Sequence, residues 1–330
     1  MKVLLAMPDG LQHRMFDRDQ LERLAALADV DVERTAPDLS ELEDDELSAV
    51  DVLLTGWGSP LVDAAALARM PRLRAIVHTA GTIRFVVSPA VWERGDIVVT
   101  SATEANAVPV AEFALAQILL AGKRTLAQAA RHREVRDRRR EPPVGERAGN
   151  FRSVVGLIGA SRIGRLVAEH LRRFDLEVLI SDPFVSAEEI TALGGRKVEL
   201  DDLFAGSDVV SLHAPDVPST QGMVTARLLA SMPDGATFLN TARPALVDRD
   251  ALRAELLSGR ISAVLDVEDE LPADDPLWDV PTVLITPHIA GSQGNELHRM
   301  GESALEEVRR LAVHEPPRFP VDPRRLSVSA

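Results

Sequence analysis

The chain has no cysteine among its 330 residues. Disulfides, thiolate nucleophiles and cysteine-ligated metals are therefore excluded, and any chemistry must come from His, Asp, Glu, Arg or a cofactor. Positive charge is outnumbered, 37 Lys and Arg against 51 Asp and Glu. A formal net charge of −14 and a pI near 5.1 give a surface that repels nucleic acid and anionic membranes, which leaves small soluble ligands as the expected partners. A long apolar run at the N-terminus is missing too. "MKVLLAMPDG" holds one lysine and a short apolar stretch before Asp9, which suits a first β-strand better than a signal peptide and predicts a cytoplasmic protein. No metal site is expected. What is present, 45% hydrophobic residues over this length, is enough for two globular domains with cores of their own.

From Lys2 to about Ser101, short apolar runs alternate with helical patterns: "KVLLAM", "DQLERLAALA", "DVLLTGW", "LVDAAALARM", "RAIVHTAG", "PAVWERG" and "DIVVTS". That alternation predicts βα units on a parallel sheet. A long helix follows over Asn106 to Lys123, apolar on nearly every face at its centre, and so expected to be buried between domains or subunits; a two-fold homodimer built around it is the expectation. "RHREVRDRRREPPVGERAGN" is charged, contains proline and lacks apolar periodicity, which reads as a solvated surface loop.

The βα rhythm resumes at Ser153 with "SVVGLIG", after which Ile163, Leu166, Val167, Leu171 and Phe174 recur at helical spacing. The stretch "GLIGASRIG" thus sits at a strand-to-helix turn, the context of the dinucleotide fingerprint G-x-G-x-x-G. Its three places hold Gly159, Ser161 and Gly164. Ser161 adds one small hydroxymethyl group, tolerable where its φ is negative and its hydroxyl lies along the turn. The next strand, "EVLIS", ends at Asp182, where an acid can accept from an adenosine ribose and repel a 2′-phosphate, favouring NAD over NADP.

Polar residues then fall at strand ends. His213 follows "DVVSL", Asn240 to Arg243 ("NTAR") follow "ATFL", Asp266 follows "ISAVL", and Pro287 and His288 follow "TVLIT". In open α/β sheets the carboxyl edge of the strands is where ligands bind, so four strands deliver Arg, Asp and two His to one rim.

In this order, "GLIGASRIG", Asp182, "LHAP", "NTARPALVDRDAL", "SGRISAVLDV", "PLWDVP" and "TPHIAG" resemble the NAD-dependent D-isomer-specific 2-hydroxyacid dehydrogenases over nearly the whole chain. The resemblance implies an α/β protein of two doubly wound parallel-sheet domains. Residues 1–101 plus 296–330 would form a flavodoxin-like substrate domain, and 102–295 an inserted Rossmann-type nucleotide-binding domain. It implies hydride transfer between NAD(H) and C2 of a 2-hydroxy or 2-oxo acid. Arg243 would hold the substrate carboxylate and carbonyl oxygen through its bidentate fork. His288 would be the acid/base, since imidazole titrates near working pH. Around the cofactor the resemblance places Gly159, Ser161, Arg162, Ile163, Gly164, Asp182, His213, Pro215, Thr241, Asp266 and Gly291.

The sequence departs from the family in three places. "LDVEDELPADDPLWD" is short and lacks the usual Glu-Pro pair that orients the imidazole; anchoring on "LPADDPLWD" makes Glu270 the partner of His288, with Glu268 and Asp269 as alternatives. Pro244 replaces the glycine after the arginine, removing an N–H donor. "HTAGTIRFVV" lacks the glycine-rich continuation of the substrate loop, although backbone N–H groups at Ala80, Gly81 and Thr82 remain to receive a carboxylate; Trp57, at another strand end, is a candidate wall of the substrate pocket. The rival readings are a phosphite- or formate-type dehydrogenase and a non-catalytic NAD-sensing protein on the same fold. An acid beside His288 counts against the formate type, and a sensor needs no proton donor. No regulatory tail domain is expected.

Overall fold

A computed structural model describes residues 1–137, 139 and 147–325. The protein divides into two compact units. The first comprises Met1–Asn106 with the described residues from Ser292 onward, and the second comprises Ala107–Gly291.

The first unit is a parallel sheet in the order β1 (Val3–Ala6), β2 (Val52–Thr55), β3 (Ala75–His78), β4 (Val98–Ser101). Outside β1, Asp29 forms a single parallel bridge with Lys2, so the first crossover returns to the outer side of β1 and the later ones continue on the other side, as in a flavodoxin-like sheet. The strands are short and continuously apolar because helices cover both faces. Alternate residues serve opposite cores: Val3, Leu5, Leu54 and Val77 lie in one, Leu4, Ala6, Leu53 and Ile76 in the other. The helix Leu297–Ala312 completes the former with Leu297, Met300, Ala304, Leu305 and Val308. Beyond it the chain runs antiparallel to β4: Val321 N–H donates to Val99 O at 2.8 Å and Ser101 N–H to Phe319 O at 3.4 Å. The buried Glu307 carboxylate accepts from the N–H groups of Arg318 and Phe319.

The second unit is a seven-stranded parallel sheet: β5 (Val154–Ile158), β6 (Glu177–Ser181), β7 (Arg196–Lys197), β8 (Val209–Leu212), β9 (Thr237–Asn240), β10 (Ser262–Leu265) and β11 (Val283–Ile285). Its spatial order is β11-β10-β9-β8-β5-β6-β7. The order reverses between β5 and β8, the switch point at which doubly wound sheets bind ligands.

The long apolar helix spans Thr103–Gly122, and the division between units falls inside it. By length and composition it passes for a membrane span, but Ala111, Ala114 and Ile118 pack into a core of the second unit, while Leu120 is exposed. Two sequence expectations need correction. Residues 131–135, read as loop, belong to the helix Thr125–Val135, which has no buried residue and therefore left no apolar period in the sequence. The rest of that charged stretch lies largely outside the described residues. Phe174 lies beyond the end of the helix Arg162–Leu171 and is 39% exposed rather than part of its buried face.

Candidate active site

In the second unit β5 runs into Gly159 at φ 91°, a left-handed conformation that glycine adopts without strain. A Cβ on Gly159 would sit 3.0 Å from the Ala214 nitrogen, and one on Gly164 would sit 2.1 Å from the Gly159 carbonyl oxygen. Both positions therefore demand glycine. Ser161, between them, has φ −64° and caps the helix Arg162–Leu171. Its hydroxyl donates to the His213 carbonyl at 2.7 Å and accepts from Gly164 N–H at 3.4 Å. The serine thus ties the turn to the loop after β8, across the switch point, while still providing the helix N-cap. The N–H groups of Ser161 and Ile163 have no acceptor among the described residues, which suits an anion at a helix N-terminus; Arg162 is exposed on the first turn.

Asp182 stands at the end of β6. Its carboxylate accepts from Ala160 N–H and Phe184 N–H, both at 2.8 Å, so one oxygen braces the glycine turn and each keeps further acceptor capacity. His213 is buried, with Nε2 2.8 Å from the Ser211 hydroxyl, and burial lowers its pKa to about 4. It is a neutral wall, not an acid or base. Pro215 carries on that loop, its carbonyl accepting from the Thr220 hydroxyl. The Thr241 hydroxyl is buried at the end of β9 without a hydrogen-bond partner among the described residues. A cradle that any Cβ would fill, free N–H groups, an acid at the β6 terminus and an orphaned hydroxyl are the features a dinucleotide requires, so these residues fit NAD.

Arg243 follows β9 in extended conformation (φ −150°) and is exposed. Asn240 shapes this corner, its side chain accepting from Ala242 N–H at 2.9 Å and donating to Arg243 O at 3.2 Å. Pro244 is the first residue of the 3-10 turn Pro244–Leu246, where no N–H donor is needed, so the departure from glycine costs the turn nothing.

His288 follows β11 with φ 54°, an unfavourable backbone region for a residue with a Cβ. Asp266 secures it. Only 1% exposed, its carboxylate accepts from the Thr286 hydroxyl at 2.6 Å and from the N–H groups of Ile289 and Ala290 at 2.8 Å. Asp266 thereby fastens the loop on both sides of His288. Gly291 ends that loop and the unit.

The acid against His288 is Asp269, whose Oδ2 lies 2.9 Å from Nδ1. This corrects the expectation of Glu270. A turn closed by Leu271 N–H on Glu268 O puts Asp269 and Glu270 at its corner, and the largely buried Glu268 is held by Arg249 at 2.9 Å. Glu270 is exposed and makes no hydrogen bond or ion pair among the described residues. The loop is fixed from its "LDV" side, where Asp266 is buried; that anchor is the signal in the sequence that points to Asp269. His288 and Asp269 remain 48% and 57% exposed at the side chain, so the ring is presented to solvent with one nitrogen engaged and Nε2 open.

In the first unit the turn after β3 holds Ala80, Gly81 and Thr82. Their N–H groups have no acceptor among the described residues, while Thr103 Oγ1 donates to Gly81 O at 2.9 Å and Ala102 N–H to Ala80 O at 3.0 Å. Trp57 follows the neighbouring β2 and is exposed.

Residues 115–290 match the family model described as D-isomer specific 2-hydroxyacid dehydrogenase, NAD binding domain. The chain belongs to this family. Among 2-hydroxyacid dehydrogenase relatives, the hydroxypyruvate reductase of Thermotoga maritima is 30% identical over 312 residues, 90% of this chain and 97% of that one. The D-3-phosphoglycerate dehydrogenase of Mycobacterium tuberculosis is 35% identical over 250 residues, 75% of this chain but 47% of the other; the chain spans about half the length of the phosphoglycerate dehydrogenases it matches. A crystal structure of a phosphoglycerate oxidoreductase from Rhizobium etli superposes with a TM-score of 0.81 at 24% identity, covering 99% of this chain and all of that one, and shows the same fold. A D-isomer specific 2-hydroxyacid dehydrogenase from Xanthobacter autotrophicus, solved with NADPH and MES, gives 0.72 at 27% identity, with 99% and 100% covered.

Proposed function

We propose that the protein is an NAD-dependent oxidoreductase that interconverts a 2-hydroxy acid and its 2-oxo acid, with His288 as acid/base, Asp269 as its positioning partner and Arg243 as the substrate carboxylate and carbonyl receptor. The observation that carries this reading is the His288–Asp269 pair at 2.9 Å: a carboxylate on Nδ1 fixes the ring's orientation and leaves Nε2 to carry the transferred proton. Bound NAD supplies the hydride acceptor, or as NADH the hydride donor. In reduction, Nε2 of His288 gives its proton to the substrate oxygen as C2 is reduced; in oxidation the same nitrogen takes it back. The Arg243 fork polarises the carbonyl and binds the carboxylate. Residues 80–82 of the first unit carry N–H groups suited to a carboxylate. In this reading residues 1–101 and 296–330 serve the substrate and 102–295 the cofactor, and the enzyme is a cytoplasmic homodimer assembled around the helix that carries the exposed Leu120.

The test is reduction of a panel of 2-oxo acids followed through NADH absorbance. Asp269→Asn should lower kcat while leaving the KM for NADH in place, and Glu270→Gln should leave both unchanged. NADH binding without turnover of any 2-oxo acid would overturn the enzyme in favour of a sensor.

A further inference from the structure

The first unit exposes three large apolar side chains on the loops that follow β2 and β3. Trp57 is 40% exposed, Leu61 50% and Phe85 80%. They lie on two loops that leave neighbouring strands, β2 and β3, at the same level, Thr55 being the register partner of His78. The loops are joined to one another: Val62 N–H donates to Val86 O at 2.8 Å, and both the N–H and the hydroxyl of Ser88 donate to Val62 O. Below them Thr79 donates through N–H and Oγ1 to Thr55 O at 2.7 and 2.9 Å. The two loops are therefore tied to each other and to the end of β2.

Large apolar side chains grouped on a solvent-facing frame signal a binding surface. Charge around this one is as informative. Residues 56–62 and 79–88 contain a single cation, Arg84, and it is already engaged in an interaction of its own. His78 beneath the turn is 1% exposed, with Nδ1 3.0 Å from the Thr55 hydroxyl, and does not supply a second positive charge. Three N–H groups suit one carboxylate; a phosphate or second carboxylate on the substrate requires further cations, and residues 56–62 and 79–88 supply only Arg84.

Resting on the dehydrogenase reading above, we infer that the substrate is a monocarboxylic 2-hydroxy or 2-oxo acid with an apolar side chain of several carbons, its carboxylate on the 80–82 turn and its side chain against Trp57, Leu61 and Phe85. Phosphorylated and dicarboxylic acids are disfavoured, even though phosphoglycerate dehydrogenases stand among the relatives.

Calorimetry with NADH present and a 2-hydroxy acid as ligand forms a complex that cannot turn over, so recognition is read apart from catalysis. (R)-2-Hydroxy-4-methylpentanoate should bind at least tenfold more tightly than 3-phospho-D-glycerate or D-malate. Leu61→Ser and Phe85→Ser, both at exposed positions, should each lower the ratio of its affinity to that of D-lactate at least fivefold, and Trp57→Ala at least tenfold. Tighter binding of the phosphorylated or dicarboxylic acid, or an unchanged ratio in all three variants, overturns the inference. So does light scattering in which these variants dissociate a dimer, since the patch is then a subunit interface. Binding of the apolar acid without NADH oxidation by 4-methyl-2-oxopentanoate would uphold this specificity while sinking the dehydrogenase; turnover that favours 3-phosphohydroxypyruvate would do the reverse.

Discussion

The two units build their ligand-facing turns by opposite means. After β5 the turn is defined by what is missing: a Cβ at Gly164 would stand 2.1 Å from a backbone oxygen, so the chain is free of side chains where a phosphate must approach. After β3 the turn is defined by what is added: the Thr79 hydroxyl ties its start to Thr55 O at the end of β2, and the Thr103 hydroxyl holds Gly81 O. Backbone crowding leaves glycine alone at Gly164, whereas a hydroxyl brace restricts only the residues that supply it.

The largest expected effect separates chemistry from both turns. His288→Ala should lower turnover 10²–10⁴-fold while NADH affinity, measured by fluorescence titration, stays within about twofold, because the histidine is not part of the glycine cradle. A parallel loss of NADH binding would merge the two functions and break the comparison.

Each unit also buries one neutral histidine at a strand end, His78 after β3 and His213 after β8, and burial lowers both to about 4 from an ordinary 6.5. The unfolded chain therefore takes up protons first as pH falls, so stability is intact above 6.5, declines between 6.5 and 4, and levels off below. The slope is about 1.4 kcal/mol per pH unit for each histidine, about 3 kcal/mol apiece at most. Denaturant titrations between pH 6.5 and 4.5 should show it, and His78→Asn and His213→Asn should each remove one proton from the linkage. If only one variant does so, the two strand ends differ in burial more than their geometry indicates.

A smaller effect concerns cofactor choice. Asp182 should make NADH bind at least about tenfold more tightly than NADPH, about 1.4 kcal/mol, and Asp182→Ala should narrow the gap; equal affinities in the unaltered protein would remove Asp182 from the ribose site. The smallest is Ser161→Gly. Glycine replaces an N-cap at a cost of a few tenths of a kcal/mol, so melting temperature and NADH affinity should barely change. A tenfold loss of NADH affinity would make the hydroxyl a ligand rather than a brace.

Much of this was legible in the sequence because period and position carry it. All the long strands and the strand-end polar residues Arg243, Asp266 and His288 follow from apolar runs and what terminates them. Ser161 was readable as tolerable, but its bond to the His213 carbonyl joins segments 52 residues apart and has no local signature. Asp269 was missed in favour of Glu270 because two anchors competed in a shortened loop, and burial of Asp266 decided between them. The role of Asp266 depends on Thr286, Ile289 and Ala290, which pairing of β10 with β11 brings to it. The apolar patch rests on the Val62–Val86 bond between loops, which no periodicity announces.

The order in which the chain is synthesised acts unequally on this architecture. Residues 107–291 of the second unit are contiguous, so its sheet can close soon after it leaves the ribosome. The first unit cannot: Leu297, Met300 and Val308, which fill one face of β1–β3, and the segment 319–321 that lines β4, are made last. At about 5–20 residues per second, the apolar faces of Val3, Leu5, Leu54 and Val77 wait roughly 10–60 s for their cover. The half of the molecule that begins first is finished last, and during that interval it is the half that chaperones must shield.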